Sequence, residues 1–140
     1  MKILDLGLQE YSQIWLLQKE LLEKRISGET EDTLILVEHH PVYTVGRAGN
    51  TLKPIGEHAH KVPIIDIERG GKITFHGPGQ IVGYPIFLLP HHDIRLYLSD
   101  LEKILVSVLL RVAKLSCRPY PVNLLLEPGQ LQTGVWIGDR

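Results

Sequence analysis

A single cysteine, Cys117, stands among 140 residues, so no disulfide can form within the chain and a reducing compartment is its natural setting. Excess positive charge is missing too. The 15 Lys and Arg against 16 Asp and Glu leave a formal net charge of -1. Without the basic face that a phosphate backbone demands, nucleic acid is excluded as an expected partner. No apolar run approaches the ~18 residues of a membrane span. The opening stretch from Met1 to Gly7 is too short and too early-charged for a secretory signal, and it lacks the Arg- and Ser-rich character of a mitochondrial presequence. A cytoplasmic protein is expected, or a mitochondrial one if the source is eukaryotic. Neither GxxxxGK followed by Ser or Thr, nor GxGxxG between a strand and a helix, occurs, so no motif supports nucleotide binding and no cofactor is expected.

What the chain does contain is ordinary globular material, with 44% hydrophobic and 22% charged residues and a length suited to one domain, 1–140. Ile3, Leu4 and Leu6 read as a short opening strand. From Leu8 the apolar residues Tyr11, Ile14, Trp15, Leu21, Leu22 and Ile26 recur at helical spacing, which predicts an amphipathic helix over about 9–26 with Gly28 at its C-terminal stop. Thr33 to Val37 is a short β-rich run of the kind found in a central strand. Residues 47–61 lack periodicity and read as a surface connection. Strands are expected over 62–67, 81–88 and 133–137, with Pro85 forcing an edge position or a kink. The clearest element is a helix over 94–115, with Ile94, Tyr97, Leu98, Leu101, Ile104, Leu105, Val108, Leu109, Val112 and Leu115 on one broad core-facing side. Its start is ambiguous, because Asp93 suits an N-cap and Ser99 with Glu102 also spells a capping box. Short strands with only two helices predict an α+β fold: a mixed sheet packed by two long amphipathic helices.

The run from Arg69 to Gln80 reads RGGKITFHGPGQ and holds four glycines, a proline, two cations and an imidazole between two apolar segments. A hairpin loop needs two to five residues, so the additional glycines imply backbone that approaches something closely. Arg69 brings a fixed fork of donors, Thr74 a hydroxyl, and His76 an imidazole that donates or accepts near neutral pH. These groups suit a polar acyl or carboxylate-like ligand.

This pattern resembles the lipoyl(octanoyl)transferase family, whose signature is RGG, two residues, T, one residue, HGPGQ, and then YP. The chain matches at Arg69, Gly70, Gly71, Thr74, His76, Gly77, Pro78, Gly79, Gln80, Tyr84 and Pro85. Family-like stretches flank the run: His40 to Gly46 upstream and Thr133 to Trp136 downstream. The resemblance implies the lipoyl and biotin protein ligase-transferase fold, of which this chain would be the N-terminal portion, incomplete at the C-terminus. It implies movement of octanoyl from acyl carrier protein to a lysine of lipoyl domains, those of 2-oxoacid dehydrogenases and the glycine cleavage H protein, through a thioester on an enzyme cysteine. The family's lysine and cysteine would lie beyond Arg140, so no catalytic residue is named within the chain, and the chain alone is expected to be inactive. The substrate-binding wall would be Arg69, Gly70, Gly71, Lys72, Ile73, Thr74, Phe75 and His76, lining a largely apolar cleft. His40, Tyr43, Gly77, Gln80 and Tyr84 would be pocket neighbours. Two other readings share these residues: a lipoate-protein ligase-like enzyme, and a non-catalytic module that holds acyl carrier protein or a lipoyl domain.

The remaining polar groups read more plainly. His39 with His40, His58 with His60, and His91-His92-Asp93 contain metal-ligating atoms, but none has HExxH spacing and no second thiol completes a zinc site, so no metal is expected. His40 is the histidine best placed within a family-like segment. Arg47 follows Gly46 in a loop where a solvated side chain is the usual outcome. Cys117 lies upstream of the Gly-Val-Trp segment, whereas the family's nucleophile lies downstream of it, and it reads as a small hydrophobe.

Overall fold

The computed structural model describes residues 1–49, 61–89, 93–119 and 134–138. In chain order its elements are β1 (Lys2–Gln9), α1 (Tyr11–Ile26), β2 (Thr33–His39), β3 (Val42–Val45), β4 (Ile64–Asp66), β5 (Ile73–His76), β6 (Val82–Ile86), α2 (Ile94–Ala113), β7 (Arg118–Pro119) and β8 (Val135–Trp136). Mixed sheets and two long helices make the fold class α+β, as the sequence pattern implies. The residues divide into two compact units, Met1–Leu88 and Leu89–Arg140. Most of the connection expected at 47–61, with His58 and His60, lies outside the described residues, as do His91 and His92.

In the first unit, β1, β2 and β6 form one sheet with β2 in the middle, parallel to β1 and antiparallel to β6. The apolar run Leu34 to Val37 within β2 suits that place: Thr33, Ile35, Val37 and His39 are buried, and Leu34, Leu36 and Glu38 on the other face are half-buried. Pro85 pairs opposite Leu34 on the edge strand β6. The edge position accommodates the missing N–H, and the strand continues through the proline to Ile86. Helix α1 lays Ile14 and Leu21 on this sheet, where they join Ile35, Val37 and Ile86 in the core. Burying each of these side chains is worth about 2 kcal/mol. The helix stops at Ser27, followed by Gly28, and Arg25 in its last turn pairs with Asp32 at 2.7 Å. Asp32 also accepts from Leu88 N at 3.0 Å, which ties the start of β2 to the chain leaving β6. That amide and the Arg25 guanidinium hold the Asp32 carboxyl below its ordinary range.

A second sheet in the same unit has the order β4-β3-β5, with β3 parallel to β4 and antiparallel to β5. Neither β3 nor β5 is marked by a long alternation in the sequence. Both are four residues long, and β5 lies inside the glycine-rich run.

In the second unit the ambiguity over the start of α2 is settled by Asp93, whose Oδ1 accepts from Arg95 N and Leu96 N, both at 3.0 Å. Beyond the helix, β7 and β8 pair through Arg118 with Trp136 and Pro119 with Val135, while Gly134 N donates to Glu102 Oε1 at 2.8 Å. No described residue of α2 is buried, and Ile104, Leu105, Val108 and Val112 are exposed, where the spacing predicted a core-facing side. A ribbon with strands of two residues is too short to cover a 20-residue amphipathic face. Among the described residues no helix is long and apolar enough to cross a membrane, and no group of three or more His, Cys, Asp or Glu is placed to hold a metal ion.

Candidate functional site

The glycine-rich run resolves into three pieces: a loop at 68–72, the strand β5, and a tight turn at 77–80. The loop is clamped against the end of β3 by three backbone hydrogen bonds: Gly46 N to Lys72 O (2.9 Å), Arg47 N to Arg69 O (3.1 Å) and Ala48 N to Gly71 O (3.1 Å). Only glycine fits at position 46, because a Cβ there would lie 2.6 Å from the carbonyl oxygens of Gly70 and Gly71. In the turn, Gln80 N returns to Gly77 O at 3.1 Å, with Pro78 second and Gly79 third at φ 86°. That is the residue order of a type II turn, in which the third position requires positive φ. Glu38 of β2 anchors the turn by accepting from Gly79 N at 2.6 Å.

Strand alternation then divides β5. Thr74 and His76 share a face, paired with Thr44 and Val42 of β3, while Ile73 and Phe75 face the other way opposite Val45 and Tyr43. Phe75 and Tyr43 rings meet at 5.2 Å between centroids, away from Thr74 and His76. On the first face Arg69 Nη2 donates to Thr74 Oγ1 (2.7 Å), Thr44 Oγ1 (2.9 Å) and Thr44 O (3.0 Å), and Nη1 donates to Gly70 O (2.9 Å). Thr44, fully buried, lies 3.4 Å by its Oγ1 from His76 Nε2, and His76 Nδ1 lies 2.9 Å from Gln80 Oε1.

Beside this group is a cluster of rings. Tyr11, the first residue of α1, is 5.9 Å from the His76 ring in a stacked arrangement and 5.1 Å from His39. His39, fully buried at the end of β2, places Nδ1–H on Gln9 O at 3.3 Å and accepts from the Tyr84 hydroxyl at Nε2, 2.9 Å away. Burial pushes both imidazoles below their ordinary pKa, helped at His76 by the Arg69 charge and opposed there by the Gln80 hydrogen bond. Burial likewise raises the phenols of Tyr11 and Tyr84. The histidines are therefore neutral and the tyrosines protonated at neutral pH.

Of the residues singled out in the sequence, Arg69, Thr74, His76 and Gln80 come together, and Tyr84 joins them through His39. Gly70, Gly71 and Lys72 form the clamped loop and supply carbonyls rather than side chains. Tyr43, Ile73 and Phe75 lie on the opposite face. Gly77 is buried against the Phe75 ring. His40 is exposed, and it is His39 that enters the cluster. Thr44 and Tyr11 were not singled out. The signal for Thr44 was its place two residues before Gly46 in the family-like stretch; Tyr11 carried only a helical-core signal. An open cleft of about 470 Å³, lined by Trp15, Gln18, Lys19, Leu22, Glu68 and Phe87 among others, includes none of the residues Arg69 to His76.

Residues 10–140 match the family model described as the lipoyl protein ligase A/B catalytic domain. The chain belongs to that family. Among curated relatives in it, the octanoyltransferase of Rubrobacter xylanophilus is 43% identical over 136 residues, covering 94% of this chain and 57% of the relative. That of Thermoanaerobacter sp. is 40% identical over 145 residues, covering 99% and 59%. The chain thus spans somewhat under three fifths of the length of these relatives. Two solved structures share the fold at 15% identity, each covering 99% of this chain. The T. acidophilum protein Ta0514 with bound lipoic acid has a TM-score of 0.70 and is covered to 58%; lipoate-protein ligase A bound with ATP has a TM-score of 0.69 and is covered to 57%.

Proposed function

We propose that this lipoyl protein ligase A/B family chain is the acyl-holding portion of an octanoyltransferase of protein lipoylation. The octanoyl group would arrive as a thioester on acyl carrier protein and leave as an amide on a lysine of a lipoyl domain. The observation that carries this reading is the junction of Arg69, Thr44, His76 and Gln80, which places a neutral imidazole beside a solvent-exposed amide at the mouth of a rigid turn. A single family model running from residue 10 to 140 supports the further reading that both compact units belong to one catalytic domain, of which the chain is the N-terminal portion.

In this reading an enzyme thiolate from the part of the longer relatives that residues 1–140 do not cover attacks the carbonyl carbon, the carrier thiol leaves with a proton, and an enzyme thioester forms. The lipoyl-domain lysine then attacks that thioester, the amide forms and the enzyme thiol is released. Dividing the transfer in this way replaces one difficult step by two easier ones. In both steps negative charge develops on the carbonyl oxygen, and a fixed donor aimed at that oxygen is worth about 3 kcal/mol. His76 is the group proposed to face it. Arg69, with Nη1 and Nη2 both engaged inside the protein, acts by holding the wall together rather than by gripping the acyl group.

The test uses the chain extended by the C-terminal part of the R. xylanophilus relative, supplied with octanoyl-acyl carrier protein and an apo lipoyl domain. His76→Ala should lower transfer by about a hundredfold, the usual scale for loss of one such donor, and Arg69→Ala, which loosens the wall that holds His76, should lower it as well. Near wild-type rates in both variants would sink the assignment.

A further inference from the structure

The hydrogen-bond chain through Thr44 determines which nitrogen of His76 carries the proton. It begins at a group with no ambiguity: a guanidinium only donates. Arg69 Nη2 is 2.9 Å from Thr44 Oγ1, so the hydroxyl oxygen accepts there and its own hydrogen must go elsewhere. Among the described residues the acceptor within reach is His76 Nε2 at 3.4 Å. Thr44 is completely buried, so water does not offer an alternative. A hydroxyl donating to Nε2 requires a lone pair on that nitrogen, and a neutral imidazole then has its hydrogen on Nδ1. Nδ1 is 2.9 Å from Gln80 Oε1, an acceptor that matches this assignment. Gln80 is exposed, so its amide can swing away and an incoming oxygen can take its place.

We propose that Thr44 is a positioning residue: its hydroxyl, fixed by Arg69, holds His76 in the tautomer with the hydrogen on Nδ1, so that the edge of the ring beside Gln80 presents a donor to the acyl carbonyl oxygen. The part concerning the carbonyl rests on the octanoyltransferase reading; the part concerning the tautomer does not. His76 is therefore an oxyanion donor in this arrangement and not a general base, because its lone pair is turned inward onto Thr44 and away from the reacting atoms. The Tyr11 ring lies against the imidazole face, 5.9 Å away between centroids, and leaves both nitrogen-bearing edges to Thr44 and Gln80. Burial and the nearby Arg69 charge act in the same direction, since both disfavour a second proton on the ring.

Nitrogen-15 NMR of the histidine-labelled chain tests this directly. Wild-type His76 should show a protonated Nδ1 and a bare Nε2. Thr44→Val, which keeps the shape and removes the hydroxyl, should admit the Nε2–H tautomer, and Thr44→Ser should restore the wild-type pattern. A wild-type His76 protonated at Nε2, or a pattern unchanged in Thr44→Val, overturns the proposal; the wild-type spectrum decides even if the valine variant fails to fold. In the extended chain, Thr44→Val should lower kcat for transfer about tenfold with KM within twofold, and Thr44→Ser should recover most of the rate. An unchanged kcat in Thr44→Val while His76→Ala loses transfer overturns the positioning role alone. An unchanged rate in both variants, with the tautomer as stated, overturns the octanoyltransferase reading of His76 and leaves the imidazole assignment standing.

Discussion

A methyl group at position 46 would be forced to within 2.6 Å of two carbonyl oxygens, those of Gly70 and Gly71, and 2.9 Å of the Arg69 carbonyl. These are backbone atoms on a loop held by three hydrogen bonds to the same segment, so they cannot swing aside as a flexible side chain would. Gly46→Ala should therefore lower stability by about 2 kcal/mol, the usual scale of an overpacked site, as read from urea unfolding. An unchanged midpoint would mean that the 69–72 loop yields freely and that its clamp does not hold Arg69. A second residue-level effect follows from His39 and His76. Their pKa values are lowered in the folded chain by burial, so below the ordinary histidine value of about 6.5 the unfolded chain takes up protons that the folded chain resists. Stability should be complete above that pH and should fall as pH drops from about 6.5 toward 5. Melting temperatures measured across this range should flatten in a His39→Gln, His76→Gln double variant; an equal slope in the double variant would assign the acid sensitivity to other groups.

The same two histidines mark how far the sequence alone reaches. Arg69, Thr74, His76 and Gln80 were legible as a group because the glycine-rich run keeps them within twelve residues. His39 and His40 are neighbours in a segment without strong alternation, and only the parity of β2 determines which one turns inward; the strand carries Thr33, Ile35, Val37 and His39 to the buried face. Arg69 is a different case. Its donor fork was visible, but its acceptor Thr44 depends on the β3–β5 pairing, which no local pattern announces.

At the scale of elements, legibility follows length. Helices α1 and α2 and the central strand β2 declare themselves because periodicity over 16, 20 and 7 residues leaves little room for another reading. Strands β3 and β5, of four residues each, were submerged in glycine- and proline-rich surroundings. Even in α2, periodicity located the helix without settling its start, because two capping signals competed; the Asp93 carboxylate decides it by accepting two orphan N–H groups. Asp93→Ala should cost about 1 kcal/mol and fray the first turn, whereas Ser99→Ala should leave it intact. Amide hydrogen exchange at Arg95, Leu96 and Tyr97 checks this. Equal protection in wild type and Asp93→Ala would show that the cap contributes nothing. Exposure of Ile104, Val108 and Val112 carries a further lesson: amphipathicity states that a face needs a partner and does not name it.

For the molecule as a whole, the question is whether residues 1–140 transfer an acyl group unaided. The thioester route proposed above needs a thiolate, and a thiol becomes one near neutral pH only beside a cation, a base or a helix N-terminus. Cys117 is the sole thiol in these residues. It follows the C-terminal end of α2, where the helix dipole opposes a negative charge, and its Sγ donates weakly to Val106 O at 3.9 Å. Arg118 alongside it reaches Gly138 O at 3.5 Å, so its charge is directed to a carbonyl and not toward the sulfur. We therefore predict that residues 1–140, given octanoyl-acyl carrier protein and an apo lipoyl domain, form no octanoylated lysine, and that the chain extended by the C-terminal part of a longer relative does so at a rate unaffected by Cys117→Ser. Intact-mass measurement of the lipoyl domain reads both results. Octanoylation by residues 1–140 alone that disappears in Cys117→Ser would make Cys117 the nucleophile and would require the acyl wall and that thiol to meet in the working enzyme.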